Sequence, residues 1–118
     1  MGTIERDNVI VNTTRIVVRP EHRKELFQTI HTLLGPIRRE KGCLAYRFYL
    51  EAGNENCTVL IGEWETQEDW DNHLRSDDFA VLLGAITVLS STSNIDFKLL
   101  SYKAGLETVM TTRTTSEG

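Results

Sequence analysis

The feature that most constrains the fold is a pair of neighbouring strand-like segments with apolar residues on both faces. The segments are Cys43 to Glu51 (CLAYRFYLE) and Cys57 to Glu65 (CTVLIGEWE), and the short polar stretch between them has a hairpin composition. In the second segment apolar side chains fall at both odd and even positions, at Val59, Leu60, Ile61 and Trp64. An antiparallel strand with one face in water alternates between apolar and polar residues instead. We therefore expect both faces of this hairpin to be covered.

A helix with a continuous apolar stripe precedes the hairpin. The stripe is predicted from the spacing of Leu26, Phe27, Ile30, Leu33, Leu34 and Ile37. Pro20 and Glu21 suit the first turn, because its N–H groups have no helical partner and its dipole end favours an acid. We expect the helix to end at Gly42, with a kink or short break at Gly35-Pro36.

Two more strands are predicted, one before the first helix and one after the last helix. Val9 to Arg19 is rich in Val, Ile and Thr, and Ile95 to Ala104 is a second apolar segment of strand length.

Two helices are predicted between the hairpin and the last strand. Thr66 with Asp69 resembles a capping box for the first of them. Asp77 or Asp78 can cap the second, which Ser90 to Asn94 is expected to end.

The order strand, helix, strand, strand, helices, strand predicts an α+β fold with a ferredoxin-like split βαβ pattern. We expect one domain over residues 9–104, a polar lead-in over residues 1–8 and a flexible Thr-rich tail over residues 105–118. The helices should cover one face of a four-stranded antiparallel sheet. No element remains for the other face, so we expect a second identical subunit to pack against it. The alternative is a monomer with exposed aromatic residues.

Composition and charge exclude several classes of partner. The 13 basic and 17 acidic residues are interleaved, whereas phosphate binding needs clustered Lys and Arg, so nucleic acid is excluded. No apolar run approaches the ~20 residues of a membrane span, and residues 1–8 lack a signal core, so we expect a cytoplasmic protein without a membrane partner.

The two cysteines are not expected to form a disulfide or bind a metal. Cys43 and Cys57 begin the two hairpin strands, so about 27 Å of strand separates them. A disulfide needs Cα atoms within about 7 Å, and two distant thiols are too few for a metal site.

Three motifs, taken in order, resemble the antibiotic biosynthesis monooxygenase family. They are Pro20–His22 opening the first helix, Gly42–Tyr46 opening the second strand, and Gly62–Leu74 (GEWETQEDWDNHL). The resemblance covers Val9 to Ala104. It implies a dimeric ferredoxin-like α/β barrel in which each subunit keeps a pocket between its sheet and its helices. The family includes enzymes that oxygenate polycyclic phenols without metal or flavin, haem-degrading relatives and an isomerase of a phosphorylated sugar, so the fold does not select the reaction.

The resemblance also directs attention to His73 and Asn12. His73 lies on the apolar face of its helix and is a candidate proton acceptor, or else a core histidine bonded to a backbone carbonyl. Asn12 is a poor strand former inside the first strand. It is a candidate for holding a substrate hydroxyl or oxyanion, or else it is a strand-edge asparagine bonded to a neighbouring chain.

Aromatic residues of the hairpin are candidates for substrate binding. Trp64, Tyr46 and Phe48 can form an apolar slot for a flat aromatic ligand, although core packing is the more frequent role. Arg47 is the only cation of the hairpin strands. We expect an ion pair with Glu63 across the strands, and contact with an anionic substrate is the alternative.

Two reactions of the family are not expected. Where the haem-degrading relatives offer an axial histidine, this sequence has an apolar stretch around Leu82 and Leu83. Sugar isomerisation would need a phosphate-binding cluster that we do not find. We therefore expect no cofactor.

These residues predict a cofactor-independent monooxygenase acting on a small phenolic or quinol-type compound. His73 would assist deprotonation, Asn12 would hold the oxyanion, and Trp64 with Tyr46 would stack on the ring. The alternative is a non-catalytic dimeric small-molecule-binding or stress-related protein of the same fold.

Overall fold

The computed structural model describes residues 9–100, 110, 111, 113 and 114, and residues 9–100 form an α+β domain around a four-stranded antiparallel sheet. The strands are β1 (Ile10–Val18), β2 (Cys43–Glu51), β3 (Asn54–Trp64) and β4 (Ser90–Leu100), in the spatial order β2-β3-β1-β4. The helices are α1 (Arg23–Arg38), α2 (Gln67–Leu74) and α3 (Asp77–Leu89), and a 3-10 turn (Pro20–His22) precedes α1. The predicted split βαβ fold is confirmed.

The central strand β1 shows how the sheet is oriented. Its even-numbered residues from Ile10 to Val18 are all buried towards the helices, and the odd-numbered ones are half-buried or exposed. The register pairs Ile10 with Trp64 and Ile16 with Thr58, so the helix-facing rows continue across β3. These rows form the face of the sheet that the helices cover, which we call the covered face.

The apolar stripe of α1 is confirmed, but the helix bounds differ from the prediction. Leu26, Ile30, Leu33 and Ile37 are buried against the sheet. The α-helix begins at Arg23 and ends at Arg38, and Pro36 lies inside it without a break. Because Pro36 falls in the last turn, the missing N–H leaves few helical bonds to lose, while the buried Ile37 side chain holds that turn on the core.

The turn after α1 requires glycine. Gly42 has a φ of +80°, and a Cβ there would lie 2.1 Å from Oδ2 of Asp69. Gly42 also accepts a backbone hydrogen bond from Glu65 at 2.8 Å. The glycine thus allows the first turn of α2 to pack directly on the turn that follows α1.

Two predicted strand starts are wrong by a few residues. Pairing of Glu51 with Asn54 extends β3 into the predicted loop and leaves a turn of Ala52 and Gly53. Strand β4 begins at Ser90, because pairing with Val18 draws the Ser- and Thr-rich segment into the sheet.

The helix caps agree only in part with the prediction. Thr66 accepts from the Asp69 N–H as predicted, at 3.0 Å. For α3 the cap is Ser76 rather than an aspartate, and its hydroxyl accepts from the Phe79 N–H at 3.1 Å. Asp77 and Asp78 instead occupy the first turn, where their charge favours the helix dipole.

The second face of the sheet, which we call the open face, carries both apolar and charged residues. Half-buried Val11, Val17, Val59 and Ile61 lie on it with exposed Tyr49. Arg15 and Arg47 lie among them and are exposed. The predicted two-faced character of the hairpin is therefore present, with charges interspersed.

Cys43 and Cys57 are free thiols, as predicted. Cys43 pairs with Trp64 at one end of the hairpin, whereas the Cys57 thiol lies 3.5 Å from Glu51 Oε1 at the other. Among the residues that the structure describes, no helix is both long and apolar enough to cross a membrane. Residues 101–104 of the predicted last strand lie outside the residues that the structure describes. So do residues 105–109, 112 and 115–118 of the predicted tail.

Candidate active site

His73 is buried where α2 meets the sheet. The Thr66 cap starts this short helix, and three of its residues, Asp69, Trp70 and His73, are buried. The His73 residue is 2% exposed, although imidazole is a polar group. A buried histidine needs hydrogen-bond partners, so its surroundings determine what the ring can do.

Aromatic rings enclose the imidazole. Trp64 stacks on it with ring centroids 4.4 Å apart and an interplanar angle of 26°. Phe79 of α3 contacts it edge-on at 5.1 Å, and Tyr46 lies 5.9 Å away. The ring is thus held in an apolar cage in which electrostatic interactions are weakly screened.

Glu40 supplies the polar partner of the imidazole. Its Oε1 lies 2.8 Å from Nδ1 of His73. An ionised carboxylate only accepts hydrogen bonds, so the tautomer that bonds such a carboxylate donates from Nδ1–H and carries its lone pair on Nε2. The pair therefore has the arrangement of a base oriented by a carboxylate.

Glu40 is the residue that sequence reasoning missed. It follows Arg38 and Arg39 at the end of α1 and precedes Lys41. A helix C-terminus disfavours negative charge, so an acid at this position was the available signal.

Two further polar atoms beside the imidazole are uncommitted. Oε2 of Glu40 and Nε1 of Trp64 are buried and have no hydrogen-bond partner among the described residues. The carboxylate oxygen is an acceptor and the indole N–H is a donor, so each can bond a polar group of a ligand.

Asn12 and Tyr46 share one row of the covered face with Gly62 between them. Gly62 pairs with Asn12 on one side and with Tyr46 on the other. A Cβ on Gly62 would lie 3.0 Å from Nε1 of Trp64 and 3.0 Å from the Tyr46 ring. Glycine therefore allows both rings to approach the β3 backbone closely.

The Asn12 amide is engaged within the sheet. Its Nδ2 donates to the Lys98 carbonyl at 3.1 Å, and its Oδ1 accepts from the Thr14 hydroxyl at 3.2 Å. This bond to the neighbouring strand uses one of the two amide N–H groups, and Asn12 lies in a central strand rather than at an edge.

The aromatic slot forms only in part. Trp64 and Tyr46 lie beside His73, and burial is the main cause that raises the pKa of the Tyr46 phenol, with Cys43 and Glu40 adding to it. Tyr46 therefore remains a neutral phenol. Phe48 instead packs towards α1, 6.1 Å from Phe27 and 5.8 Å from His31.

The expected ion pair of Arg47 with Glu63 is not formed. Arg47 lies opposite Ile61, and Glu63 lies opposite Ala45, so the two are not directly paired. The Arg47 side chain makes no ion pair or hydrogen bond to the residues that the structure describes.

The fold and this buried site define a class of protein. Residues 9–82 match the antibiotic biosynthesis monooxygenase family, and the chain belongs to it. A curated relative, protein sll1783 of Synechocystis, is 29% identical over 73 residues, which are 62% of this chain and 50% of that protein. The chain thus spans half the length of this relative.

Solved structures share the fold. A conserved protein from Methanosarcina mazei is 22% identical with a TM-score of 0.78, covering 85% of this chain and 98% of its own. SnoaB, a cofactor-independent oxygenase from Streptomyces nogalater, is 17% identical with a TM-score of 0.73, covering 84% of this chain and 97% of its own. At these identities the likeness establishes the fold alone.

Proposed function

We propose that this protein is a monooxygenase-type enzyme that oxidises a small phenolic or quinol-type compound without metal or flavin. The observation that carries the proposal is the buried pair of His73 and Glu40, joined at 2.8 Å inside an aromatic cage. Kinship with a family that includes a cofactor-independent oxygenase adds support.

In this proposal His73 takes the phenolic proton at Nε2. Glu40 accepts from Nδ1–H and stabilises the imidazolium that results, because the opposite charges lie close together in a dry site. The substrate anion then gives an electron to O₂. For an anthrone-type phenol, the overall change converts a ring CH₂ and O₂ into a ring carbonyl and water, so the substrate supplies every electron.

The oxyanion and the ring would be held by neighbouring groups. The uncommitted Trp64 Nε1 and the second amide N–H of Asn12 are donors on the covered face. Tyr46 and Trp64 provide the aromatic surfaces for stacking. All four candidate residues are buried in this conformation, so substrate entry requires α2 or α3 to move.

We also propose a homodimer formed through the open faces of two sheets. Half-buried Val17, Val59 and Ile61 and exposed Tyr49 on that face support it, since apolar residues there lack a cover within the described chain. A second sheet packed face to face would supply the cover.

Oxygen uptake with a panel of hydroquinones and anthrones tests the enzymatic proposal. We expect His73→Ala to lower the rate by about 10²- to 10⁴-fold, the usual contribution of a positioned base. His31→Ala is the matched control, because His31 is exposed on α1. Asn12→Ala should lower the rate less, since its amide is already engaged.

The second candidate function is passive binding of a small molecule. The internal hydrogen bonds of Asn12 and the sealed aromatic cage favour it, because neither requires turnover. Native rates equal to the uncatalysed rate for every compound would refute the enzyme and leave this candidate.

A further inference from the structure

A cleft of about 270 Å³ lies at the edge strand β2, on the outer side of Tyr46. Its lining residues are Arg38, Cys43, Leu44, Ala45, Tyr46 and Arg47. Drug-sized ligands occupy pockets of ~300–1,000 Å³, so this cleft suits a smaller molecule.

The charged groups of the cleft are both cations. Arg38 is held in place because its Nε donates to the Tyr46 carbonyl at 2.9 Å, and this leaves its terminal nitrogens available. Arg47 lies on the edge strand β2 of the open face, is exposed in the single subunit, and makes no ion pair with the described residues. Two guanidinium groups at one small cleft favour a carboxylate, which matches their planar donors.

The edge of β2 adds a backbone donor. In an antiparallel strand the N–H and C=O of one residue point to the same side. Because the Tyr46 carbonyl points outward to Arg38, the Tyr46 N–H also points away from β3. Arg38, Arg47 and the Tyr46 N–H thus all lie at the cleft edge of β2.

The rest of the cleft is suited to an aromatic ring. Leu44 is 52% exposed and Cys43 and Ala45 are half-buried, so their side chains offer apolar surface beside the cations. Two acids lie near the cleft. Glu40 bonds His73 through Oε1 and, after burial, adds to the raised pKa of the Cys43 thiol, and Glu63 lies opposite Ala45 on β3.

We propose that this cleft binds the carboxylate of a small aromatic acid between Arg38 and Arg47, and that such hydroxylated aromatic acids are the substrate class of the site. Tyr46 connects the two places, since it lines the cleft and its ring lies 5.9 Å from the His73 imidazole. The substrate assignment rests on the proposed function, whereas carboxylate binding does not.

The test compares gentisate with hydroquinone, which is the same ring without the carboxylate. Calorimetry gives Kd for the full chain, and amide NMR shifts at residues 44–47 locate binding. We expect gentisate to bind more tightly and Arg47→Gln to weaken it about tenfold, the usual effect of losing one charge-assisted hydrogen bond. Arg39→Gln is the control, because Arg39 lies at the same end of α1 outside the cleft. Neither variant should change hydroquinone binding.

The outcomes separate this proposal from the enzymatic one. Equal binding of gentisate and hydroquinone, equal effects of the two variants, or the same shifts with sodium chloride alone would overturn the cleft. Hydroquinone oxidation without gentisate binding would also overturn it and leave the enzyme standing. Gentisate binding that depends on Arg47, without turnover of any compound, would support the cleft and refute the oxidation.

Discussion

The two faces of the central strand β1 carry different kinds of residue. On the covered face Asn12 and Thr14 are buried between Ile10 and Ile16, and they hydrogen-bond one another. On the open face Val11 and Val17 are only half-buried and Arg15 is exposed. Some polar groups thus lie where the protein is dry, and some apolar groups lie where it meets water. An isolated domain needs neither buried polar residues nor solvent-facing apolar ones. We therefore connect the covered face with catalysis and the open face with dimer formation.

The largest effect is expected from truncation on the covered face. Ile16 is fully buried, so Ile16→Ala should lower the free energy of unfolding by about 2–5 kcal/mol at any protein concentration. Its neighbour Val17 points to the open face, and Val17→Ala should have a smaller effect that depends on protein concentration. Denaturant unfolding at two concentrations measures both. Equal, concentration-independent losses would remove the distinction between the faces.

A pair of glycines tests how closely the site is packed. Gly62→Ala should destabilise the fold by about 1–3 kcal/mol, because the new Cβ meets Trp64 and Tyr46 at 3.0 Å. Gly84→Ala on α3 has nothing within 4 Å and should stabilise by about 0.5–1 kcal/mol. Thermal unfolding distinguishes the two, and a neutral Gly62→Ala would mean that the rings are loosely placed.

The carboxylate next to His73 gives a prediction on turnover. Glu40→Gln keeps the size of the side chain but removes its charge, so oxidation should slow about 10- to 100-fold. Nitrogen NMR of the imidazole should show a mixed tautomer in the variant and Nδ1–H in the native protein. Arg39→Gln serves as the neighbouring control. An unchanged rate together with an unchanged tautomer would contradict a positioning role for Glu40.

The smallest predicted effect is on the free energy of unfolding and comes from the exposed pair of Arg15 and Glu51. The hydrogen bond from Arg15, at 3.1 Å, is the main cause that lowers the pKa of Glu51, with Cys57 adding to it. A depressed pKa in the folded state stabilises the fold above the unfolded value of 4.5, and this contribution is lost as pH falls through the folded pKa. Because the pair is exposed, the contribution should be small.

Glu51→Gln isolates that contribution. Native protein and variant should differ slightly in stability at neutral pH and converge in the acid range. A difference that grows on acidification would contradict the assigned direction.

Prediction from sequence succeeded where a pattern is local and repeated. The stripe from Leu26 to Ile37 and the aromatic and β-branched runs of the hairpin predicted the elements and their order, because spacing and composition report burial directly. The start of β4 at Ser90 was not predictable, since pairing with Val18 outweighs the local preference of a Ser- and Thr-rich segment.

The candidate site was predictable residue by residue but not as a set. His73 and Trp64 belong to one recognisable motif and do lie together. Glu40 reaches His73 from 33 residues away in the chain, and no local pattern reports such a contact. Phe48 shares a strand with Tyr46 yet packs towards α1, because side chains on the same face of a strand lie about 7 Å apart along it.

The comparison of the two faces depends on the open face being covered by a second copy. Light scattering on the native chain at micromolar concentration tests this most directly. We predict a particle of twice the 13.4 kDa chain mass. A particle of 13.4 kDa would contradict the account, because the apolar residues of the open face would then be in contact with water.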